Sequence, residues 1–345
     1  MDYEKQLTFL KNRWTNLLLP QTGGRKFTYL INFADKEIPG SIPGTDDNIP
    51  EFADYLAQLY EYNLERMMWL NDDYLPCIEI ATGTEIFGEA FGCSVYRPSD
   101  NMPFAIPLIK TSSEAIKIKI PKLEDTKFWN LLEIAEKSRA LVGGNALVKL
   151  PDMQCPMDIV ATIWDKTDLF VAMYEEPEAV KELCNKVSQF VSSFLDEWFK
   201  RFGKDFIAHH PDYYMPGGVT FSIDEVGSIS SDMFNNYFKD TLNWFSNRYD
   251  GLGFHCCANA MHQWENFKKL DNLRLINFNQ PGDIIEKAYK YFEKTAAQMH
   301  VAVARDTLKK PEDYPEEARV VVSVQVEDKA DAINISDLLA QMYGR

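Results

Sequence analysis

No stretch of the chain approaches the ~18 consecutive apolar residues that a membrane-spanning helix needs, so no such span is expected. The opening MDYEKQLTFLKNRW has no basic segment followed by an apolar one, and no secretory signal is expected from it. Positive charge is the scarcer sign: 36 basic residues stand against 52 acidic ones, a formal net charge of -16. That average field repels a phosphate backbone or an anionic lipid surface, which argues against nucleic acid or membrane as the main partner. Cysteine is sparse too. The six, at positions 77, 93, 155, 184, 256 and 257, show no disulfide-framework spacing, so a reducing cytoplasm is the expected home. Val142-Gly-Gly-Asn145 lacks the spacing and the Lys of a nucleotide cradle, and no Gly-x-Ser-x-Gly elbow occurs. Nucleotide-dependent and serine-hydrolase chemistry are disfavoured. Internal repeats and low-complexity segments are also missing.

What is present suits a large enzyme-like globule: 46% hydrophobic and 13% aromatic residues in a chain of 345. A single α/β barrel commonly reaches that length. Leu7, Leu10, Trp14, Leu17 and Leu18 predict an amphipathic first helix, followed by a possible strand from Phe27 to Phe33 and a long Gly/Pro-rich loop through Pro39-Gly-Ser-Ile-Pro-Gly44. A second helix face runs through Phe52, Leu56, Tyr60 and Met67. Beyond it, short β-branched runs alternate with long amphipathic helices. Strands are expected at Pro76–Ile80, Asn145–Leu150, Gly218–Asp224, up to His255, Leu273–Phe278, His300–Val303 and Arg319–Val326. Helices are expected at about 125 to 140, at Met157–Phe170, from Pro177 through Trp198, around Phe234 to Phe245, at 260 to 270, at Asp283–Met299 and at Ser336–Met342. This alternation predicts a parallel sheet, as a (β/α)8 TIM barrel with an N-terminal helical extension; a doubly wound open sheet is the competitor. In a barrel, chemistry collects at the C-terminal strand ends, where Glu79, Asp224, Glu225, His255 and Cys257 fall.

The stretch Gly251-Leu-Gly-Phe-His-Cys-Cys-Ala-Asn-Ala260 ends a strand in three metal-capable side chains. Neighbours on a strand face opposite ways, so His255 and Cys257 share one face. Imidazole and thiolate suit zinc, yet two ligands do not complete a site, and buried Cys also packs as a small hydrophobe. Asp224 is an acid/base candidate or a turn and helix-cap partner. Glu79 is a strand-end site candidate or a binder of neighbouring backbone N–H groups. His209-His210-Pro-Asp-Tyr-Tyr214 sits in a loop before a strand, where Tyr214 can line a pocket mouth or simply face solvent. His262 reads as a capping or exposed residue, and Trp129, Trp164, Trp198, Trp244 and Trp264 as packing between barrel and helices.

The order of these pieces resembles the uroporphyrinogen decarboxylase-like superfamily, which holds porphyrinogen decarboxylases and zinc-dependent methyltransferases acting on corrinoid proteins or coenzyme M. The resemblance rests on Phe87-Gly-Glu-Ala-Phe-Gly92, on Ala172-Met-Tyr-Glu-Glu-Pro-Glu178, on Ser222-Ile-Asp224 through Ile229-Ser-Ser-Asp-Met-Phe234, and on His255-Cys-Cys-Ala-Asn259. The last is similar to the family's His-x-Cys-Gly-Asn, with Ala258 in place of Gly. It implies one barrel domain over residues 1–345, with 1–70 as a helical N-terminal extension, and His255 and Cys257 as zinc ligands. The methyltransferase branch takes a third ligand, a Cys, from the last strand; this chain has Val322-Ser-Val-Gln-Val-Glu-Asp-Lys329 there, so Glu327 or Asp328 replaces it, or Glu225 or Asp224 reaches across. The Arg-rich signature by which porphyrinogen decarboxylases hold substrate carboxylates is missing, Arg25 being the nearest residue to it.

The resemblance implies a methyltransferase working between a small methylated donor and a corrinoid protein or thiol, with zinc as a possible cofactor and the corrinoid carried by a partner protein. A metal-free lyase of the decarboxylase type, in which Asp224 stabilises a protonated pyrrole-like intermediate, is the second reading. A catalytically silent binding barrel is the third.

Overall fold

The protein is described here by a computed structural model covering residues 3–33 and 48–345, so the expected loop through Pro39 and Gly44 lies outside the described residues. Eight parallel strands form the frame: β1 (Lys26–Asn32), β2 (Cys77–Ile78), β3 (Leu147–Val148), β4 (Val219–Ser222), β5 (Leu252–Cys256), β6 (Leu273–Phe278), β7 (Ala297–Met299) and β8 (Arg319–Gln325). An unbroken parallel ladder joins β4, β5, β6, β7, β8 and β1 in that order, and β2 pairs with β3. Buried on both faces, such strands are apolar almost throughout, as Val-Val-Val in β8 shows.

Two seams complete the ring without a continuous ladder. Between β3 and β4, Ser222 donates to the Met153 carbonyl at 2.8 Å and accepts from the Cys155 N–H at 3.0 Å. Between β1 and β2 the closure is made largely by carboxylates. The Tyr29 N–H donates to Asp73 Oδ2 at 2.9 Å, the Ile31 N–H to Asp72 Oδ2 at 3.1 Å, and the Asp73 N–H to the Tyr29 carbonyl at 2.9 Å. This is the (β/α)8 fold that the alternation predicts.

Residues 1–70 contribute two helices, α1 (Tyr3–Leu18) and α2 (Ile49–Trp69), with β1 between them as a member of the sheet. Arg13 of α1 grips Asp73 through Nε at 2.6 Å and Nη2 at 3.1 Å, and its Nη1 reaches the Gly344 carbonyl at 2.9 Å. Arg66 of α2 holds Asp72 at 2.7 Å. Burial pushes the Asp72 pKa up, against the pull of Arg66. The helix Pro177–Phe202 starts on its proline and ends at Gly203, whose φ of 86° suits a residue without Cβ. Its inner stripe packs Phe190 and Phe194 edge-on against Phe128, with Trp198 against Phe194. Trp164 and Trp198 are buried as expected, whereas Trp244 is 47% exposed on the outer face.

Several boundaries moved for identifiable reasons. The expected helix 157–170 is broken at Trp164, where Leu108 and Ile109 donate to the Ile163 carbonyl and Asp165 caps a new helix. The helix beginning near Asp283 ends at Tyr291, and Ala297–Met299, expected as its tail, is strand β7. Pairing with β6 and β8 on both sides overrides the helical preference of that alanine-rich segment. The last helix begins at Lys329 rather than Ser336, because the Asp328 side chain accepts from the Asp331 N–H and caps it. No helix among the described residues is long and apolar enough to cross a membrane.

Two hairpins interrupt the alternation. One pairs Ser94–Tyr96 with Phe104–Ile106. The other, Asp205–Ala208 with Tyr213–Pro216, wedges into the opening between β3 and β4: Leu150 donates to the Ile207 carbonyl at 2.8 Å. Its turn carries His209 and His210 to the C-terminal ends of the strands.

Asp73 is fully buried and satisfies a guanidinium and a backbone donor together. Asp73→Ala strands the Arg13 charge and opens the β1–β2 seam, and should cost about 3–5 kcal/mol. Chemical denaturation of the two proteins measures this; an unchanged midpoint would show that the seam does not depend on the carboxylate.

Candidate functional site

The site is built on β5. Phe254 and Cys256 are buried while His255 is partly open and Cys257 is exposed just past the strand, so the alternation holds to its end. His255 Nε2 and Cys257 Sγ lie 2.8 Å apart, on one face as the spacing predicts. The parallel register places Asn277 of β6 beside His255. Asn277 Nδ2 donates to the Met299 carbonyl of β7 at 2.5 Å, which leaves Oδ1 to accept from His255 Nδ1. With its proton on Nδ1, the ring turns the Nε2 lone pair toward Cys257.

Asp224, two residues beyond β4, accepts the Cys257 backbone N–H at 2.5 Å through Oδ1. Asp224, His255 and Cys257 thus each bring one ligand-capable atom into a group spanning no more than 4.8 Å. Asp158, in the first turn of the helix Pro156–Ile163, accepts from the backbone N–H groups of Asp224 at 2.6 Å and Glu225 at 3.0 Å. Burial, with Glu225 and Asp224 close by, holds its carboxyl pKa well above the usual range. Burial followed by the Asp224 charge pushes the Cys257 thiol up to about 11. In the metal-free protein the Cys257 proton therefore stays on sulfur near neutral pH. Ala258, standing where the family motif has Gly, is accommodated by Gly227, at which an added Cβ would come within 2.5 Å of the Ala258 methyl.

A polar belt extends from this group across the strand ends. Glu79 accepts from Tyr74 Oη at 3.0 Å and Asn63 Nδ2 at 3.2 Å and pairs with Lys149 Nζ at 3.6 Å; Asp212 holds the same ammonium at 2.6 Å. Burial works against the Lys149 charge, but Asp212 and Glu79 outweigh it and its pKa is raised. The His210 ring lies 5.2 Å from that of His255, which links the two halves of the belt.

The other expected residues stand elsewhere. Tyr214 spends its hydroxyl on Asp205 of its own hairpin at 2.8 Å, under Lys11 of α1. Glu327 is exposed beyond β8 and is absent from the metal-capable groups among the described residues; Asp224 is the carboxylate that stands with His255 and Cys257. The reason is topological, since the chain leaves β8 directly into the cap of its last helix. His262 bonds the Ile229 carbonyl at 2.9 Å, a structural role. Asp158, Asn277 and Lys149 were not among the expected site residues, although each is a polar residue in a largely apolar run: Pro156-Met-Asp-Ile-Val-Ala-Thr-Ile163, Leu273-Arg-Leu-Ile-Asn-Phe278 and Ala146-Leu-Val-Lys-Leu150.

Residues 80–301 match the family profile described as Uroporphyrinogen decarboxylase (URO-D). The chain belongs to the uroporphyrinogen decarboxylase family. Its fold is similar to that of a methyltransferase from Methanosarcina mazei, with a TM-score of 0.64 at 13% identity over 96% of this chain and 97% of that one. A search of curated proteins finds no match. The family segment includes the Asp224, His255 and Cys257 group and ends just past β7, so Glu327 lies outside it.

A thiol held up to about 11 should alkylate slowly at neutral pH. In chelator-treated native protein, iodoacetamide labelling of Cys257, the one exposed cysteine, should accelerate about tenfold per pH unit from pH 7 to 9. Mass spectrometry of the peptide reads the rate; a plateau below pH 8 would contradict the raised value.

Proposed function

We propose that this family member is a methyltransferase acting between a small methylated donor and a thiol or a partner-borne corrinoid, with zinc held by His255, Cys257 and Asp224. The observation that carries this reading is the 2.8 Å approach of His255 Nε2 to Cys257 Sγ, with an Asp224 carboxylate oxygen in the same group. A nitrogen, a sulfur and an oxygen donor leave a tetrahedral ion one open position, the pattern of catalytic rather than structural zinc. The fit extends outward, because Asn277 fixes the ring tautomer that a ligating imidazole needs. Bound there, zinc would lower the pKa of a thiol or polarise the oxygen or nitrogen that carries the methyl group.

The protein's own groups supply position and charge. Asp158 is a positioning residue: by gripping the N–H groups of Asp224 and Glu225 it sets the direction of the Asp224 carboxylate. The acceptor's electron pair forms a bond to the methyl carbon as the carbon–heteroatom bond breaks. The departing heteroatom then takes a proton from the acceptor thiol or from solvent, since Asp224 as an ionised zinc ligand carries none. Glu79, Lys149 and Asp212 are proposed to orient the polar end of a small substrate from the far side of the mouth. A reducing cytoplasm suits the six unpaired cysteines.

A porphyrinogen-type lyase is the weaker reading on charge. The mouth carries Glu79, Asp152, Asp212 and Asp224 against Lys149, which repels a polycarboxylate. Arg25 precedes β1, at the N-terminal end of the strands, and is held by the Tyr314 carbonyl at 2.9 Å.

Methyl transfer from methylated thiol or amine donors to free thiol or cob(I)alamin should be detectable and should fall by at least about 100-fold in Cys257→Ala. An unchanged rate in that variant would sink the reading. Asn277→Ala should weaken zinc binding by about 10–100-fold in competition with a chromophoric chelator.

A further inference from the structure

We propose a second divalent-cation site beside the first, formed by Asp152, His209 and His210 and suited to a first-row ion that prefers nitrogen and oxygen donors. The three residues each bring one ligand-capable atom into a group spanning no more than 4.8 Å. His210 Nε2 and Asp152 Oδ2 face each other at 3.9 Å, too far for a hydrogen bond. Metal–ligand bonds of about 2.0–2.2 Å place neighbouring donors roughly 3.3 Å apart, so a small side-chain adjustment closes them on one ion.

The surroundings are those of a built site. Asp152 is oriented by Ser222 Oγ at 2.6 Å and Gln154 Nε2 at 3.1 Å, the kind of outer support that ligating carboxylates have. His209 Nδ1 is buried with no hydrogen-bond partner among the described residues. The nearest opposing charge is Lys149, already engaged by Glu79 and Asp212. The carboxylates Glu79, Asp212 and Asp152 outnumber that single ammonium, a field that favours a cation. The turn that carries the histidines is fixed against the barrel where Leu150 donates to the Ile207 carbonyl.

Two imidazoles and a carboxylate without sulfur suit zinc, iron(II), manganese or cobalt(II) and disfavour magnesium and calcium, which seek oxygen. Three protein ligands leave positions open for a substrate oxygen or water. The His210–His255 ring separation of 5.2 Å puts that opening beside the His255–Cys257 group, at the same mouth.

The test is a cobalt(II) and zinc(II) titration of the chelator-stripped full chain, read by calorimetry and absorption. Wild type should bind two equivalents. Cys257→Ala should keep one, with cobalt d–d bands but no thiolate charge-transfer band. The double variant His209→Ala/His210→Ala should also keep one, and retain that band. Asp152→Asn should weaken only the sulfur-free site, by at least tenfold, and it decides the matter if the double variant does not fold by circular dichroism. The proposal is overturned if wild type binds a single equivalent that Cys257→Ala abolishes, or if the histidine variant or Asp152→Asn leaves both equivalents intact. A Cys257→Ala protein that still binds both equivalents would instead show that Cys257 is no ligand of the first site and leave the second standing.

Discussion

The candidate site depends on a side-chain relay that crosses three parallel strands. Asn277 on β6 is anchored to the Met299 carbonyl on β7 and in turn fixes the His255 ring on β5. Because parallel register sets which residues stand side by side, moving β5 by one position would turn the imidazole to the wrong face, and moving β6 would do the same to Asn277. The relay therefore couples the ladder, the most rigid part of the fold, to the direction of one lone pair. Asp224 and Asp158 extend the same logic to β4, where backbone N–H groups rather than side chains orient the carboxylates.

A second constraint is charge at low dielectric. Carboxylates recur where the ladder is weak. Asp72 and Asp73 close the β1–β2 seam with arginines behind them, while Asp152 and Asp158 flank the β3–β4 seam. Only the first pair has guanidinium partners close at hand, at Arg66 and Arg13. At the β3–β4 seam Asp158 is left beside two other carboxyl groups, and burial holds its pKa well above the usual range. A buried carboxylate without a cationic partner is expensive, and its persistence at a strand end is better explained by chemistry than by stability.

Much of the architecture was legible in the chain. Val320, Val321 and Val322 read directly as a buried strand, and the stripe from Val180 to Trp198 as a long helix, because burial on two faces or along one stripe leaves a period in the sequence. Ala297–Met299 was not legible, since three residues carry no period and their strand character comes wholly from neighbours on both sides. The pairing of His255 with Cys257 was legible from strand alternation alone. Asp224 was a candidate third member alongside Glu225, Glu327 and Asp328, because the order of the pieces carries no information on where the chain turns after β8.

By itself the sequence determined the class of fold, the acidic character and the presence of an imidazole and a thiol on one strand end, all of which are properties of neighbours along the chain. Tertiary structure alone decided which carboxylate joins them, that Asn277 sets the tautomer, that Tyr214 turns away, and that the His210 ring comes within 5.2 Å of the His255 ring across 44 intervening residues. The physical reason is that ligand geometry depends on how strand ends converge around a ring, and that convergence is set by register and by the seams rather than by any local period.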